Sequence, residues 1–317
     1  MNDKHLLASD FKLTILGSSS ALPTSERNPT AQVLNIRERF FLIDCGEGTQ
    51  IQLRKYRARL GKINQIFISH LHGDHFYGLF GLLSTFSLLG RKHPLQLFSP
   101  PGLKKILLQV FTSTQDGLSY PIEFTELKNA APEWIFENDF LKVMAIPMKH
   151  RIACYGFKFT EKEHLYNLNK SAIQEAKLTI PEIHAARSGE DIVRENGRII
   201  PNKQLILGRR KARTYVYYAD TAYHDEWISE VAGADLLYHE ATFLEEKKDF
   251  AHQTGHSTTR QAAEFAQKAG VEKLIIGHFS SRYKNLTPFL EETQSIFPHV
   301  ELAEDGKSFE IPCKWEE

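Results

Sequence analysis

The chain alternates short apolar segments with polar or glycine-rich segments, a pattern typical of an α/β protein. The apolar runs predict strands at 12–16, 40–43, 66–68, 95–98, 141–146, 155–159, 214–218, 236–238 and 274–277, with an edge strand at 307–311. Longer segments predict helices at 76–89, 102–112, 170–176 (ending near Pro181), about 258–270 and from 287 onward. In such α/β sheets, ligands bind at the carboxyl ends of the strands.

Residues 66 to 75 combine a strand with candidate chemistry. The apolar run 66–68 predicts a buried strand, and the polar residues that follow it are His70, His72, Asp74 and His75. Side chains two apart on an extended backbone point to the same side, so His70 and His72 share a side, and Gly73 allows a tight turn after them. Two pairs of ligands can then face two adjacent metal ions, for which zinc fits best and manganese or iron is an alternative. A polar loop that only caps a helix is the other interpretation, and it fits an isolated His-x-His better than this longer pattern.

Single polar residues recur after other predicted strands. His150 follows strand 141–146, Asp220 follows 214–218 and His278 follows 274–277. Each has a structural alternative, such as a turn aspartate, but recurrence over several strands indicates one site on one sheet edge. Asp220 is the candidate for bridging two metals, because a carboxylate has two oxygens.

Asp44 lies at the end of strand 40–43, near the expected metal site. A carboxylate there can orient a ligating imidazole from behind. It can equally cap the helix predicted after it, and the residues alone leave both interpretations open.

Composition narrows the class of protein. The 317 residues include 39 basic and 39 acidic ones, for a formal net charge of +0, so any surface for a polyanion must be local. Three cysteines without a C-x-x-C pair fit a reducing compartment rather than a disulfide framework. Because Asp3, Lys4 and Asp10 are charged and no long apolar run is present, we expect no signal peptide, no membrane span and a cytoplasmic location.

Two polar segments are candidates for contact with a phosphate. Arg27, in the loop 23–28, can donate a pair of hydrogen bonds to a phosphate, and Asn28 can bind a base or backbone group, although an exposed Arg27 without a role is the simpler interpretation. The segment 160–213 lacks clear strand periodicity and carries dense mixed charge, which is typical of a functional lid or arm. Its cluster 209–211 (Arg-Arg-Lys) is a candidate phosphate contact, and a solvated charged face explains it equally well.

The stretch His70-Leu71-His72-Gly73-Asp74-His75 resembles the signature of the metallo-β-lactamase superfamily. The resemblance implies an αββα sandwich with a two-metal site along one edge, here a single domain over 1–317 with an inserted arm at 160–213. It does not choose among hydrolases of β-lactams, thioesters and phosphodiesters.

Four further segments resemble the ribonuclease Z family in its short form. They are Pro23 to Asn28 (with Ser25 in place of the family's lysine), His239-Glu240-Ala241-Thr242, His256-Ser257-Thr258 and Gly277 to Tyr283. The resemblance implies an endonuclease that removes the 3′ trailer of precursor tRNA, leaving a 3′-hydroxyl on the tRNA and a 5′-phosphate on the trailer. It also implies a homodimer in which the arm of one subunit grips tRNA for the active site of the other. The family's arm typically carries a Gly-Pro pair, which residues 160–213 lack, so the arm tip differs here.

The same resemblance implies a role for each site residue. One zinc takes His70, His72 and His150, the other takes Asp74, His75 and His278, and Asp220 bridges them. Asp74 also accepts a proton and orients the attacking hydroxide, while His256, with Glu240 behind it, protonates or stabilises the leaving 3′ oxygen. Asp44 and His239 support the ligands from behind, and Arg27 and Asn28 contact the RNA.

Two other functions are alternatives. A small-molecule phosphodiesterase or thioesterase of the same fold explains the metals but leaves His239, Glu240, His256 and the arm without a role. A non-catalytic RNA-binding or dimer-scaffold protein with a relic site is the second alternative, and the full set of ligands argues against it.

Overall fold

The computed structural model describes residues 11–113 and 117–316, so the signal-peptide prediction, which concerns residues 1–10, lies outside the described residues. Strands β1 to β21 are Phe11–Gly17, Ser19–Ser20, Ala31–Ile36, Arg39–Ile43, Ile63–Phe67, Leu95–Ser99, Ile122–Glu126, Glu133–Glu137, Leu141–Pro147, Tyr155–Glu161, Asn167–Leu168, Ile192–Val193, Ile199–Ile200, Ile206–Arg210, Thr214–Tyr218, Leu236–Glu240, Leu274–Gly277, Phe279–Ser280, Val300–Leu302, Ser308–Glu310 and Trp315–Glu316. Helices α1 to α10 are Thr49–Lys55, Gly73–Phe76, Leu79–Leu88, Leu103–Ser113, Lys170–Glu175, Ile180–Arg187, Ile228–Val231, Lys248–Thr254, Thr259–Ala269 and Thr287–Gln294. Short 3-10 turns lie at Leu60–Lys62, Asn202–Gln204 and Glu245–Lys247.

Two seven-stranded sheets form the body of the protein. The first has the order β20-β1-β3-β4-β5-β6-β7, in which the pairs from β20 to β4 are antiparallel and those from β4 to β7 are parallel. The second has the order β19-β17-β16-β15-β10-β9-β8, in which β8 to β15 pair antiparallel and β15 to β19 pair parallel. Since β9 and β15 both run against β10, they run in the same direction, and β9, β15, β16 and β17 end at one edge.

The two sheets face each other across a core of aromatic side chains. Phe67 of β5 contacts Phe159 of β10 edge to face, with ring centroids 5.3 Å apart. Its neighbours in the chain, Ile66 and Ile68, point the other way into a second core under α1, α3 and α4. On the outer face of the second sheet, α9 contributes Phe265 to the packing. The layers are therefore helix, sheet, sheet and helix, which confirms the predicted αββα sandwich.

The predicted helix over 76–89 is two helices, α2 and α3, separated at Gly78. A Cβ added at Gly78 would lie 2.0 Å from the carbonyl oxygen of Gly46, so the break lets two backbones approach closely. Gly73 does not form the predicted tight turn but is the first residue of α2. The side chains of Asp74 and His75 therefore project from the first turn of a helix.

The segment 160–213 connects two neighbouring antiparallel strands, since Thr160 of β10 pairs with Thr214 of β15. A buried ion pair stands at its base, where Arg213 Nε donates to Glu161 Oε2 at 2.8 Å. Beyond the base, the segment holds β11, α5, α6 and β12 to β14 around a separate small apolar cluster: Ala186, Ile192, Ile200 and Leu205. Pro181 is the second residue of α6 and does not end the preceding helix, because a first-turn residue needs no hydrogen-bonded N–H.

The root of this segment lies at the edge of the second sheet opposite the carboxyl ends of β9 and β15, because β10 ends there and β15 begins there. Among residues 11–113 and 117–316, no helix is both long and apolar enough to cross a bilayer.

Candidate metal centre

The carboxyl ends of β5, β9, β15 and β17 meet at one edge of the sandwich, and the polar residues that follow these strands converge there. The seven residues predicted as metal ligands all lie in this cluster: His70, His72, Asp74, His75, His150, Asp220 and His278. Their convergence follows from the shared direction of the strands that precede them.

One group consists of His70, His72 and His150 with Asp220. His72 Nδ1 lies 3.0 Å from His70 Nε2 and 3.2 Å from His150 Nε2. Asp220 Oδ2 lies 3.6 Å from His70 Nε2. A tetrahedral zinc ion with bonds of about 2.0–2.1 Å to nitrogen has ligand atoms about 3.3 Å apart, so these side chains fit a metal ion.

The second group consists of Asp74, His75 and His278, again beside Asp220. His75 Nε2 and His278 Nε2 are 3.3 Å apart, and Asp74 Oδ2 lies 3.5 Å from the first and 3.6 Å from the second. Asp220 touches both groups, because its Oδ2 is 3.5 Å from His75 Nε2 and its Oδ1 is 3.3 Å from His278 Nε2. Its position between the two groups fits a bridging carboxylate.

The electrostatic surroundings of the histidines also suit a bound cation. Burial lowers the pKa of His70, His72 and His150, which favours the neutral imidazole that binds metals. His150 Nδ1 donates to the carbonyl oxygen of Gly255 at 2.8 Å, leaving the lone pair on Nε2 toward the cluster. Burial opposes the charge on His75, yet nearby carboxylates, Asp220 foremost, raise its pKa well above its usual value. That concentration of negative charge favours a bound cation.

Asp44 stands behind His75. Its Oδ2 accepts hydrogen bonds from His75 Nδ1 at 2.7 Å, Tyr217 Oη at 2.6 Å and Ser69 Oγ at 2.8 Å, and its Oδ1 accepts from the Ser69 amide at 2.7 Å. Asp44 does not cap α1, whose N-cap is Gly48. It has a φ of 55°, a conformation in which aspartate and asparagine are enriched among non-glycine residues. Of the two interpretations of Asp44, the contacts favour the orienting one.

His256 lies beside the cluster at the entrance to α9. Its Nδ1 is 3.0 Å from Glu240 Oε1, and Glu240 is fully buried. The backbone amides of Thr221, Thr242 and Ser257 also donate to the Glu240 carboxylate. Burial works against a charged imidazole, but Glu240 raises the pKa of His256 above its usual value. This pair can therefore hold a proton at the edge of the metal centre.

The His239 side chain does not face this site, and the supporting role implied for it stays a prediction. Adjacent side chains on a strand point to opposite faces, so Glu240 faces the metal centre and His239 faces α9. The His239 ring stacks on Tyr218, with centroids 5.0 Å apart, and contacts Phe265. Its Nδ1 donates to the backbone carbonyl of Glu240 at 2.6 Å.

Arg27 and Asn28 brace the loop that carries them, and their contact with RNA stays a prediction. Arg27 Nη2 donates to the carbonyl oxygen of Tyr283 at 2.9 Å, and Asn28 Nδ2 donates to Asp305 Oδ2 at 3.0 Å. The loop itself reaches the cluster through its backbone, since the Ala21 amide donates to Asp74 Oδ2 at 2.7 Å. In the segment 160–213, the guanidinium of Arg209, a candidate phosphate contact, forms ion pairs with Glu163 and Glu316.

An open cavity of about 470 Å³ leads to the metal centre. The predicted site residues that line this cavity are His72, Asp74, Asp220, His256 and His278. The lining residues that were not predicted include Glu47, Tyr77 and Arg151. Two of them had a sequence signal, since Tyr77 lies two positions after one candidate ligand and Arg151 directly after another.

Comparison with known proteins agrees with this geometry. The family model of the anti-Pycsar protein Apyc1 matches residues 11–294. A ribonuclease Z of Cytophaga hutchinsonii is 46% identical over 303 residues, covering 95% of this chain and 96% of its own. The crystal structure of the short form of human tRNase Z superposes with a TM-score of 0.71 at 29% identity, over 95% of this chain and 99% of that one. The metallo-β-lactamase-fold protein YhfI of Bacillus subtilis shares the fold, with a TM-score of 0.67 at 18% identity over 95% of this chain and 99% of its own. The chain therefore belongs to the family that the Apyc1 model describes and, within the metallo-β-lactamase fold, to the ribonuclease Z family.

Proposed function

We propose that this protein is a metal-dependent endoribonuclease that cuts the 3′ trailer from precursor tRNA, leaving a 3′-hydroxyl on the tRNA and a 5′-phosphate on the trailer. The observation that carries the proposal is the juxtaposition, on one cavity, of two metal-ligand groups with the His256–Glu240 pair. The metal groups fit the hydrolysis of a phosphodiester, and the acid–base pair fits the departure of an alkoxide.

Two divalent cations, zinc by preference, would be held by His70, His72 and His150 on one side and by Asp74, His75 and His278 on the other, with Asp220 between them. When bound, such ions activate water and neutralise phosphate charge. Manganese or iron suits the same mixed ligands.

Asp74 and Asp220 have separate tasks in this proposal. Asp220 is almost fully buried and lies within 3.6 Å of ring nitrogens of His70, His75 and His278, so it positions both groups. Asp74 lines the cavity and is held by the amide of Ala21, so it can accept and orient a proton of the attacking water. A positioned acid or base typically contributes roughly 10²–10⁴-fold to the rate.

His256 would deliver a proton to the leaving 3′ oxygen. Because the Glu240 carboxylate raises its pKa, the imidazole is kept protonated closer to neutral pH than an isolated one. Burial alone would favour the protonated form of Glu240, but His256 lowers the pKa of this carboxyl, so the two groups form an ion pair.

The segment 160–213 is proposed as an arm that binds tRNA away from the cut, in a protein acting as a homodimer. Thr214, at the root of the segment, is separated from Asp220 at the metal centre by a stretch of extended chain. At roughly 3.3 Å per residue, this stretch spans about 20 Å. The arm thus leaves the sandwich at the edge opposite the metal centre, which suits an arm that serves the site of a partner subunit. A cytoplasmic location belongs to the proposal, and the three cysteines are free thiols.

The test is incubation of the purified protein with a precursor tRNA and mapping of both product ends, beside assays with bis(p-nitrophenyl) phosphate and a thioester. Cleavage at the trailer junction with the stated ends supports the proposal. Hydrolysis of the small substrates without tRNA cleavage contradicts it.

His256→Ala tests the acid–base pair within the same assay. We expect turnover to fall by roughly 10²–10⁴-fold with metal content unchanged, and exposed His93→Ala serves as the control. Loss of metal from the His256 variant would instead make this residue a ligand, as its place beside Asp220 and His278 also permits.

A further inference from the structure

We propose that Arg151 binds a phosphate of the RNA at the mouth of the metal-centre cavity, as a substrate-binding residue. The inference rests on the proposed function, since it assigns the contact that a nuclease at this site needs. It assigns a phosphate contact to a residue other than Arg27, for which the resemblance to ribonuclease Z implied contact with RNA.

The charges around the cavity single out Arg151. Its lining includes three carboxylates, those of Glu47, Asp74 and Asp220. Among the described residues that line it, Arg151 is the one lysine or arginine. An RNA strand brings negative charge into this acidic surrounding, and Arg151 offers a fixed positive charge there.

The Arg151 guanidinium has no protein partner among the described residues, whereas Nη2 of Arg27 is already engaged. Arg27 donates to the carbonyl oxygens of Ser280 and Tyr283, on the side of the loop away from the cavity lining. Arg151 is exposed, and within the described part of the chain it has no ion pair. By contrast, the arginines at 37, 59, 194, 209, 213 and 260 are each paired with a glutamate.

The backbone places Arg151 on the side of the cavity where the leaving group would depart. It follows His150, whose Nδ1 donates to Gly255, and Gly255 directly precedes His256. The Arg151 Cγ would lie 3.7 Å from a Cβ added at Gly255, so the aliphatic part of its side chain passes this glycine. The Arg151 side chain therefore lies beside His256, the proposed general acid. The RNA strand on one side of the scissile bond must pass there.

A guanidinium in this place has a distinctive chemistry. It stays charged at all working pH values and can donate two parallel hydrogen bonds to one phosphate, which lysine cannot do. Each phosphate contact also releases condensed counterions, so its loss lowers the slope of log affinity against log salt by about 0.7–0.9.

The experiment compares wild type with Arg151→Gln, Arg151→Lys and the control Arg54→Gln in the metal-loaded protein. Arg54 is also an exposed arginine, on α1 and outside the cavity lining, so its variant matches the change in net charge. The readouts are KM and kcat for precursor tRNA, and the affinity for a short fluorescent single-stranded RNA measured by anisotropy between 50 and 200 mM salt.

For Arg151→Gln we expect KM and the RNA dissociation constant to rise about tenfold or more, with a shallower salt slope, and with partial recovery in Arg151→Lys. Wild-type KM, RNA affinity and salt slope in Arg151→Gln, or equal losses in Arg54→Gln, would overturn the assignment. A wild-type protein that binds RNA through Arg151 yet leaves precursor tRNA uncut would refute the proposed function alone. No measurable binding of RNA by the wild type would overturn the assignment of Arg151 as well.

Discussion

Asp44→Asn is the substitution that most directly tests how the metal centre is supported. The side chain keeps its size, and asparagine tolerates the left-handed backbone found at this position. What changes is the oxygen Oδ2, which accepts from His75, Tyr217 and Ser69 together. An amide cannot accept all of these donors, because one of its two ends is itself a donor.

The size of the effect follows from these contacts. A hydrogen bond to a charged group contributes about 1.5–3 kcal/mol, and the hydroxyls of Tyr217 and Ser69 can turn to accept from the new amide. We therefore expect the free energy of unfolding to fall by about 3 kcal/mol. Residues that orient a metal ligand typically account for about 10–100-fold in metal affinity, so a loss of that size is expected as well.

The assay is competition for zinc against a chromophoric chelator, combined with urea denaturation of the metal-free protein. Asp235→Asn is a matched control, because Asp235 is also nearly buried and accepts from the Thr214 amide and Lys314, but lies at the opposite edge of the sheet. The control should lose stability and keep its metal affinity. Unchanged metal affinity in Asp44→Asn would refute the role of this carboxylate in holding His75.

Three other predictions concern the arm and the core. Residues 170–198 contribute to an apolar cluster separate from the main core. Deleting them should therefore spare hydrolysis of bis(p-nitrophenyl) phosphate and weaken processing of precursor tRNA. If the deletion variant cleaved precursor tRNA as well as wild type does, the segment would not be an RNA-binding arm. Glu161→Gln should lower the free energy of unfolding by about 3–5 kcal/mol at neutral pH, because it leaves the buried Arg213 without its charged partner. Burial opposes ionisation of Glu161, but Arg213 lowers the pKa of this carboxyl. The stability that Glu161 contributes is therefore fully present above about pH 4.3 and is lost as pH falls through the folded-state pKa. Urea unfolding of wild type and Glu161→Gln at several pH values should show the two stabilities converging in acid, and a constant difference would be inconsistent with the ion pair. Phe67→Ala, between the two sheets, should lower the free energy of unfolding by about 3–5 kcal/mol, measured by urea denaturation, with exposed Tyr77→Ala as the comparison expected to cost much less.

The sequence by itself determined where strands end and which residues follow them. The apolar runs are local features, so β1, β9, β10, β15 and β17 begin and end close to the predicted positions, whereas β5 begins at Ile63, three residues before the predicted start. Histidines and aspartates follow several of those strands in the sequence. Their clustering in space could be predicted with one further rule, which is that the carboxyl ends of strands running in the same direction share one edge of the sheet. Thr258 and Gly270 cap α9 at the ends of the predicted helix over about 258–270, because capping depends only on neighbouring residues.

Tertiary structure decided which side of each strand faces the metal centre and which polar side chains are already occupied. His239 and Glu240 are adjacent in the sequence, and only the packing of α9 against one face separates a core residue from a site residue. Arg27 meets its partners near Tyr283, more than 250 positions away along the chain, so no local pattern could show that its guanidinium was engaged. Arg151 became a candidate only in the folded structure. The lack of an ion-pair partner for its guanidinium can be recognised only when all the residues around the side chain are known.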